Sequence, residues 1–128
     1  MNDMERNRRI IDRLIMWGCD VQSAMPRFLN NTAMYCQLLR NVPAQESFAK
    51  LGTCLESGDC KAAFEQAHAL KGVLANMALT PMAAEACEIV ELLRNGTMDD
   101  VPSHYAKLLR EKATLQDILL GENESLGR

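Results

Sequence analysis

The sequence predicts an all-α domain, an up-down antiparallel four-helix bundle with one or two extra N-terminal helices. Three observations predict it. Leu, Ala and Met supply 40 of the 128 residues against 15 for Val, Ile and Thr, a balance that favours helix over strand. Apolar residues recur at three- and four-residue spacing along four long segments. The runs between those segments are short and carry Gly, Asn or Pro, as connections between antiparallel neighbours do.

Composition narrows the function classes. Lys and Arg total 14 and Asp and Glu 17, a net charge of -3, so the basic footprint of a nucleic-acid binder is missing. With 48% hydrophobic residues the chain can bury a real core, which argues against disorder. Its 128 residues make one domain, with no room for a kinase catalytic domain beside it. The five cysteines, Cys19, Cys36, Cys54, Cys60 and Cys87, are odd in number and include no C-x-x-C pair. Neither a disulfide framework nor a zinc site follows from that spacing. No basic leader runs into a long apolar stretch, and no segment approaches the roughly 18 apolar residues of a membrane span. The expectation is a cytoplasmic monomer that binds neither nucleic acid nor membrane.

Residues 1–18 read as an N-terminal helix packed on the bundle. Asp3 offers a cap, Ile10, Ile11, Leu14 and Ile15 an apolar side, and Gly18 a left-handed stop. Arg6, Arg8, Arg9 and Arg13 make it locally basic, and Trp17 offers an indole to pack it against the bundle end. The bundle itself is expected over 19–121. A brief helix after Asp20 or Ser23 presents Val21, Met25, Phe28 and Leu29, with Pro26 removing a backbone hydrogen bond inside it. From Ala33 to Leu55 the residues Tyr35, Leu38, Leu39, Val42, Phe48, Leu51 and Leu55 keep helical spacing, with a kink or break at Pro43. Gly58 closes that segment and Asp59 starts a helix running to about Leu79. Thr80-Pro81 supplies a cap and a first-turn proline for a helix bearing Met82, Ala86, Ile89, Val90 and Leu93, which stops at Asn95-Gly96. The last helix, about Asp100 to Leu120, buries Tyr105, Leu108, Leu109, Leu115 and Leu119. Residues 122–128 read as a flexible tail.

The helix from Asp59 carries the chemistry. At about 100° per residue, Cys60, Ala63, Phe64, Ala67, Leu70, Leu74 and Met77 share one buried arc. His68 falls about 120° from the centre of that arc. It therefore stands on the open side with Lys61, Glu65, Gly72 and Ala75, and Lys71 sits at the border. Gly72 is the anomaly, because glycine inside a helix costs about 1 kcal/mol relative to alanine and an outward face does not demand it. Something must approach the backbone closely there. His68, Gly72 and Ala75 follow at i, i+4 and i+7, so the imidazole is succeeded by side chains too small to obstruct a docking surface. Imidazole, with an ordinary pKa of about 6.5, is nucleophilic near neutrality. Lys71, at i+3, can offset the charge of a phosphoryl group placed on it.

The segment Ala67-His68-Ala69-Leu70-Lys71-Gly72 resembles the A-H-x-L-K-G signature of histidine-containing phosphotransfer (HPt) domains. The likeness extends from about Gly18 to Leu120. It takes in Cys19-Asp20-Val21 through Arg27-Phe28, Asn30-Asn31, Tyr35 to Leu39, and the Leu55-Glu56-Ser57-Gly58-Asp59 turn. It continues through Ala75-Asn76, Leu79, Ala86 and Glu91-Leu92-Leu93-Arg94-Asn95-Gly96. The resemblance implies a phosphoryl carrier, not an autonomous kinase, exchanging phosphate with receiver-domain aspartates in a two-component phosphorelay. By the same likeness His68 is the phosphoacceptor, Lys71 the stabilising cation and Gly72 the clearance for the receiver; Lys61, Glu65 and Ala75, on the same open face by helical count, are the expected partner-binding residues. Partners would be response-regulator receivers or a hybrid histidine kinase. No cofactor is implied on this chain, since Mg²⁺ belongs to the receiver. The sequence departs from the family pattern at Pro26 and at Val73-Leu74, both expected to reshape the receiver-facing surface.

Two rival readings compete. In the first, the same bundle is a non-phosphorylated adaptor docking a protein through the His68/Gly72/Ala75 face. Glu65-Gln66-Ala67-His68 is also a Glu-x-x-His, as in di-iron bundles, but His104 follows Val101-Pro102-Ser103, so no second copy exists and His68 faces outward. His104 otherwise reads as a solvated surface residue. Glu85, Glu88 and Glu91 read as a solvated face able to bias receiver choice by charge. The eight methionines read as gap fillers in a core poor in aromatics.

Overall fold

The computed structural model describes residues 2–120 and contains α-helices, 3₁₀ turns and no strand among them. The helices are α1 (Asp3–Trp17), α2 (Val21–Ala24), α3 (Thr32–Leu39), α4 (Glu46–Ser57), α5 (Cys60–Asn76), α6 (Thr80–Arg94) and α7 (Val101–Leu120). The expected tail at 122–128 lies outside the described residues.

Helices α4 to α7 make the bundle. Each packs on its successor, α4 closes the ring against α7, and α1 lies against α3 and α7. The tight connections Gly58-Asp59 and Met77 to Leu79 force the helices they join to reverse direction. Fully buried Leu51, Ala63, Ala67, Leu70, Leu74, Met82, Ile89, Leu108 and Leu115 fill the space between them. Removing such side chains from water at about 25 cal/mol per Å² holds the four helices together far more than propensity does.

The stops and several caps follow local chemistry. Gly18, Gly58 and Gly96 all take left-handed backbone (φ 103°, 73° and 75°) just past helix ends. The side chains of Asn31 and Asp59 accept from the backbone N–H groups of Met34 and Ala62, capping α3 and α5.

Elsewhere the structure corrects the sequence reading. Asn2, not Asp3, caps α1, accepting from the Glu5 amide at 2.8 Å. The buried stripe of α1 is narrower than expected, Asn7, Ile10 and Leu14, because only one side of this helix meets the bundle, and Ile15 is exposed. The brief second helix tightens to a 3₁₀ turn over Met25–Phe28. Pro26 thereby sits in a first turn where its missing N–H breaks no bond. Leu29 ends that turn with φ 57° and points into solvent, 83% exposed. The segment around Pro43 breaks fully, a 3₁₀ turn at Val42–Ala44 separating α3 from α4. Leu38 and Leu109 lie off the buried stripes of their helices and are exposed, and Leu55, Tyr105 and Leu119 are half-buried.

Helix α5 stops at Asn76, three residues short of expectation. Ala78 turns left-handed (φ 57°), and the Leu79 amide donates back to the Leu74 carbonyl. Thr80 does not cap α6. Leu79 holds that position, while the Thr80 hydroxyl accepts from the Asp20 amide at 3.1 Å. Two further contacts lock the same corner: Arg27 donates to the Asn76 carbonyl at 2.7 Å, and the buried Tyr35 hydroxyl donates to the Met77 carbonyl at 2.7 Å. The N-terminal elements thus clamp the α5–α6 turn and fix the end of the helix that carries His68. Trp17 is half-buried against the core.

Candidate functional site

Helix α5 is anchored by its inner face, and that anchoring decides what faces out. Ala63, Ala67, Leu70 and Leu74 are completely buried between α4 and α6. One step round the helix, His68 is exposed, as are Lys61, Glu65, Gly72 and Ala75, and Lys71 is half-buried. All six predicted site residues therefore share one outer face. A Cβ built on Gly72 would meet nothing within 4 Å. The fold makes no use of the missing side chain, so the opening belongs to the surface.

The electrostatics of the face are simple. Among the described residues neither Lys71 nor the i,i+4 pair Lys61 and Glu65 forms an ion pair. The Lys71 ammonium therefore meets no carboxylate among the described residues. Concave surface lies at both ends of the face. A depression of about 460 Å³ is lined by Cys60, Lys61, Phe64, Leu93, Arg94 and Gly96. Another of about 240 Å³ brings Ala75 together with Asp20, Ser23, Arg27 and Thr80. His68 stands between them on the exposed face of α5.

Phe64 departs from the expected buried arc of α5. It is half-buried at the flank, and its ring stacks on the His68 imidazole, with centroids 5.8 Å apart and planes 13° from parallel. The i,i+4 spacing of an aromatic and a histidine was the available signal. Val73 is half-buried and Leu74 fully buried, so Leu74 cannot shape the receiver-facing surface.

A model of the Hpt domain family matches residues 31–119, well over half of the chain. The chain belongs to the Hpt domain family. Comparison with the curated proteins and with the solved structures found no match. The matched span starts at α3, so α1, α2 and the Met25–Phe28 turn precede it, and the likeness is shorter at its N-terminal end than the motifs implied. Membership in the Hpt family carries a general role in histidine phosphotransfer within two-component signalling. Hpt domains are phosphoryl carriers and work with receiver domains and histidine kinases. No helix of the described residues is long and apolar enough to cross a membrane.

The remaining candidates resolve differently. Glu65 and His68, the elements of the Glu-x-x-His reading, both face outward, and no group of three His, Cys, Asp or Glu among the described residues could hold a metal ion. All five cysteines are free thiols, and burial pushes Cys19 up to about 11, which suppresses its thiolate. Glu85 is not solvated. It is buried on α6, where His104 Nδ1 pairs with its Oε2 and Lys107 Nζ lies 3.2 Å from its Oε1. His104 is therefore no free surface residue either; α7 runs along α6 and carries an imidazole and an ammonium to one carboxylate. Glu88 is exposed, and Glu91 is exposed in a 2.7 Å pair with Arg94. Met77 and Met82 fill the core, but Met4 and Met16 are exposed and fill nothing.

Proposed function

We propose that His68 takes a phosphoryl group from the aspartyl phosphate of a response-regulator receiver domain and passes it to another, as a carrier step in a phosphorelay. The observation that carries this reading is an exposed imidazole in mid-helix, followed one turn later by a glycine beside which the fold leaves open space.

The chemistry asks little of the chain beyond positioning. The lone pair of an imidazole nitrogen attacks phosphorus and a P–N bond forms. The P–O bond to the aspartyl group breaks, and its electron pair leaves with the carboxylate. The proton on the other ring nitrogen stays there or passes to water. Transfer onward is the same step in reverse. Lys71, one turn along, sets its ammonium against the phosphoryl oxygens. Gly72 and Ala75 keep the surface low enough for the receiver to reach the ring, while Lys61 and Glu65 present one charge of each sign to orient it. The Mg²⁺ that neutralises charge on the transferring group comes with the receiver. The free thiols fit a reducing cytoplasm.

The test is labelling by phosphate-loaded receivers. Wild-type chain should acquire an acid-labile, alkali-stable label, and His68→Gln should acquire none while keeping its helical circular dichroism. A wild-type chain that binds receivers without taking label would be an adaptor instead.

A further inference from the structure

We propose that Phe64 is a positioning residue for phosphotransfer, its ring face setting the plane in which the His68 imidazole meets the incoming phosphorus. The inference rests on His68 being the phosphoacceptor.

The two rings lie with centroids 5.8 Å apart and planes 13° from parallel, inside the range of offset stacking. Among the described residues no hydrogen bond or ion pair orients the imidazole. Histidines that act at a fixed angle are usually held by a ring N–H donated to a carbonyl or carboxylate. Among the described residues no such bond reaches either nitrogen of His68. An exposed histidine without one turns between rotamers on its own. Stacking supplies the constraint without consuming a nitrogen, because it uses the π face, and the lone pair that attacks phosphorus lies in the ring plane. Transfer needs that lone pair in line with the P–O bond that breaks, and such alignment is sensitive to small displacements.

Phe64 is itself braced. It packs half-buried against the core, and the Arg94 guanidinium carbon lies 5.6 Å from its ring centroid. Arg94 is held in turn by Glu91 of the same helix at 2.7 Å. The last turn of α6 thus supports the ring on α5 that supports the imidazole. A mere space filler at this position would be replaced as well by leucine as by tyrosine; an aromatic face would not.

The experiment compares Phe64→Leu and Phe64→Tyr in the full chain. It reads receiver affinity and, separately, the single-turnover transfer rate from a phosphate-loaded receiver at saturation. Phe64→Leu should slow transfer about tenfold and Phe64→Tyr should restore it. Affinity should stay within about twofold in both. The upfield ring-current shift of the His68 ring protons should vanish in Phe64→Leu and return in Phe64→Tyr. Transfer by Phe64→Leu at the wild-type rate, or by Phe64→Tyr as slowly as by Phe64→Leu, overturns the proposal. If that happens while wild type takes label and His68→Gln does not, positioning alone is lost. An unlabelled wild type removes the phosphoacceptor and this role together.

Discussion

A Cβ placed on Gly52 would lie 2.6 Å from the phenolic oxygen of Tyr105, closer than side chains tolerate. The Tyr105 hydroxyl crosses α4 at that point to donate to the Phe48 carbonyl at 2.7 Å. Glycine in mid-helix is here the condition for α7 to lie down on α4.

Gly52→Ala should therefore destabilise the domain. Helix propensity returns about 1 kcal/mol, but Tyr105 must swing away and lose its bond, for a net loss of about 1–2 kcal/mol. A lower urea midpoint at unchanged m-value would register this. In a Tyr105→Leu background, the same change should cost nothing.

Gly72 has the opposite surroundings, with no atom within 4 Å of a built Cβ. Gly72→Ala should raise stability by about 0.5–1 kcal/mol, since only propensity is in play. Gly72→Gln should fold equally well and weaken receiver binding by about tenfold or more, because the longer side chain stands where the partner must approach. Titration of the variant with a receiver checks this, and wild-type affinity would remove the clearance role.

The α6–α7 seam predicts a pH dependence. Glu111 Oε1 is buried without a hydrogen-bond partner. Its carboxyl is pushed above the ordinary 4.5, first by desolvation and then by Glu85, with Lys107 and Arg110 pulling back. A carboxyl raised in the folded state binds protons more tightly there than in the unfolded chain, so it subtracts stability as pH rises from 4.5 through the raised value. Glu111→Gln should therefore gain on wild type at about pH 7 and lose that advantage at about pH 4, in paired urea melts. An equal difference at both pH values would contradict the assignment.

Local signals were legible wherever the cause was local. Gly18, Gly58 and Gly96 stop helices because each follows the last periodic residue, and the outward face of His68, Gly72 and Ala75 follows from counting round one helix. What escaped depends on distant neighbours. Nothing near Gly52 announces Tyr105, and the spacing of Glu85, Glu88 and Glu91 cannot tell which of them α7 will cover. Only packing brings His104 and Lys107 to Glu85. The apolar character of Leu29 suggests core, but its left-handed backbone aims it outward. The Phe64–His68 stack is the exception, a local pair that the i,i+4 rule could have found.

Mass spectrometry of the wild-type chain after incubation with a phosphate-loaded receiver puts His68 most directly to proof. One added phosphoryl group should map to the α5 peptide and to the His68 ring, and it should leave again when an unloaded receiver is supplied. A phosphoryl group on His104, or none on any histidine while the receiver retains its own, would contradict the carrier role assigned to this face.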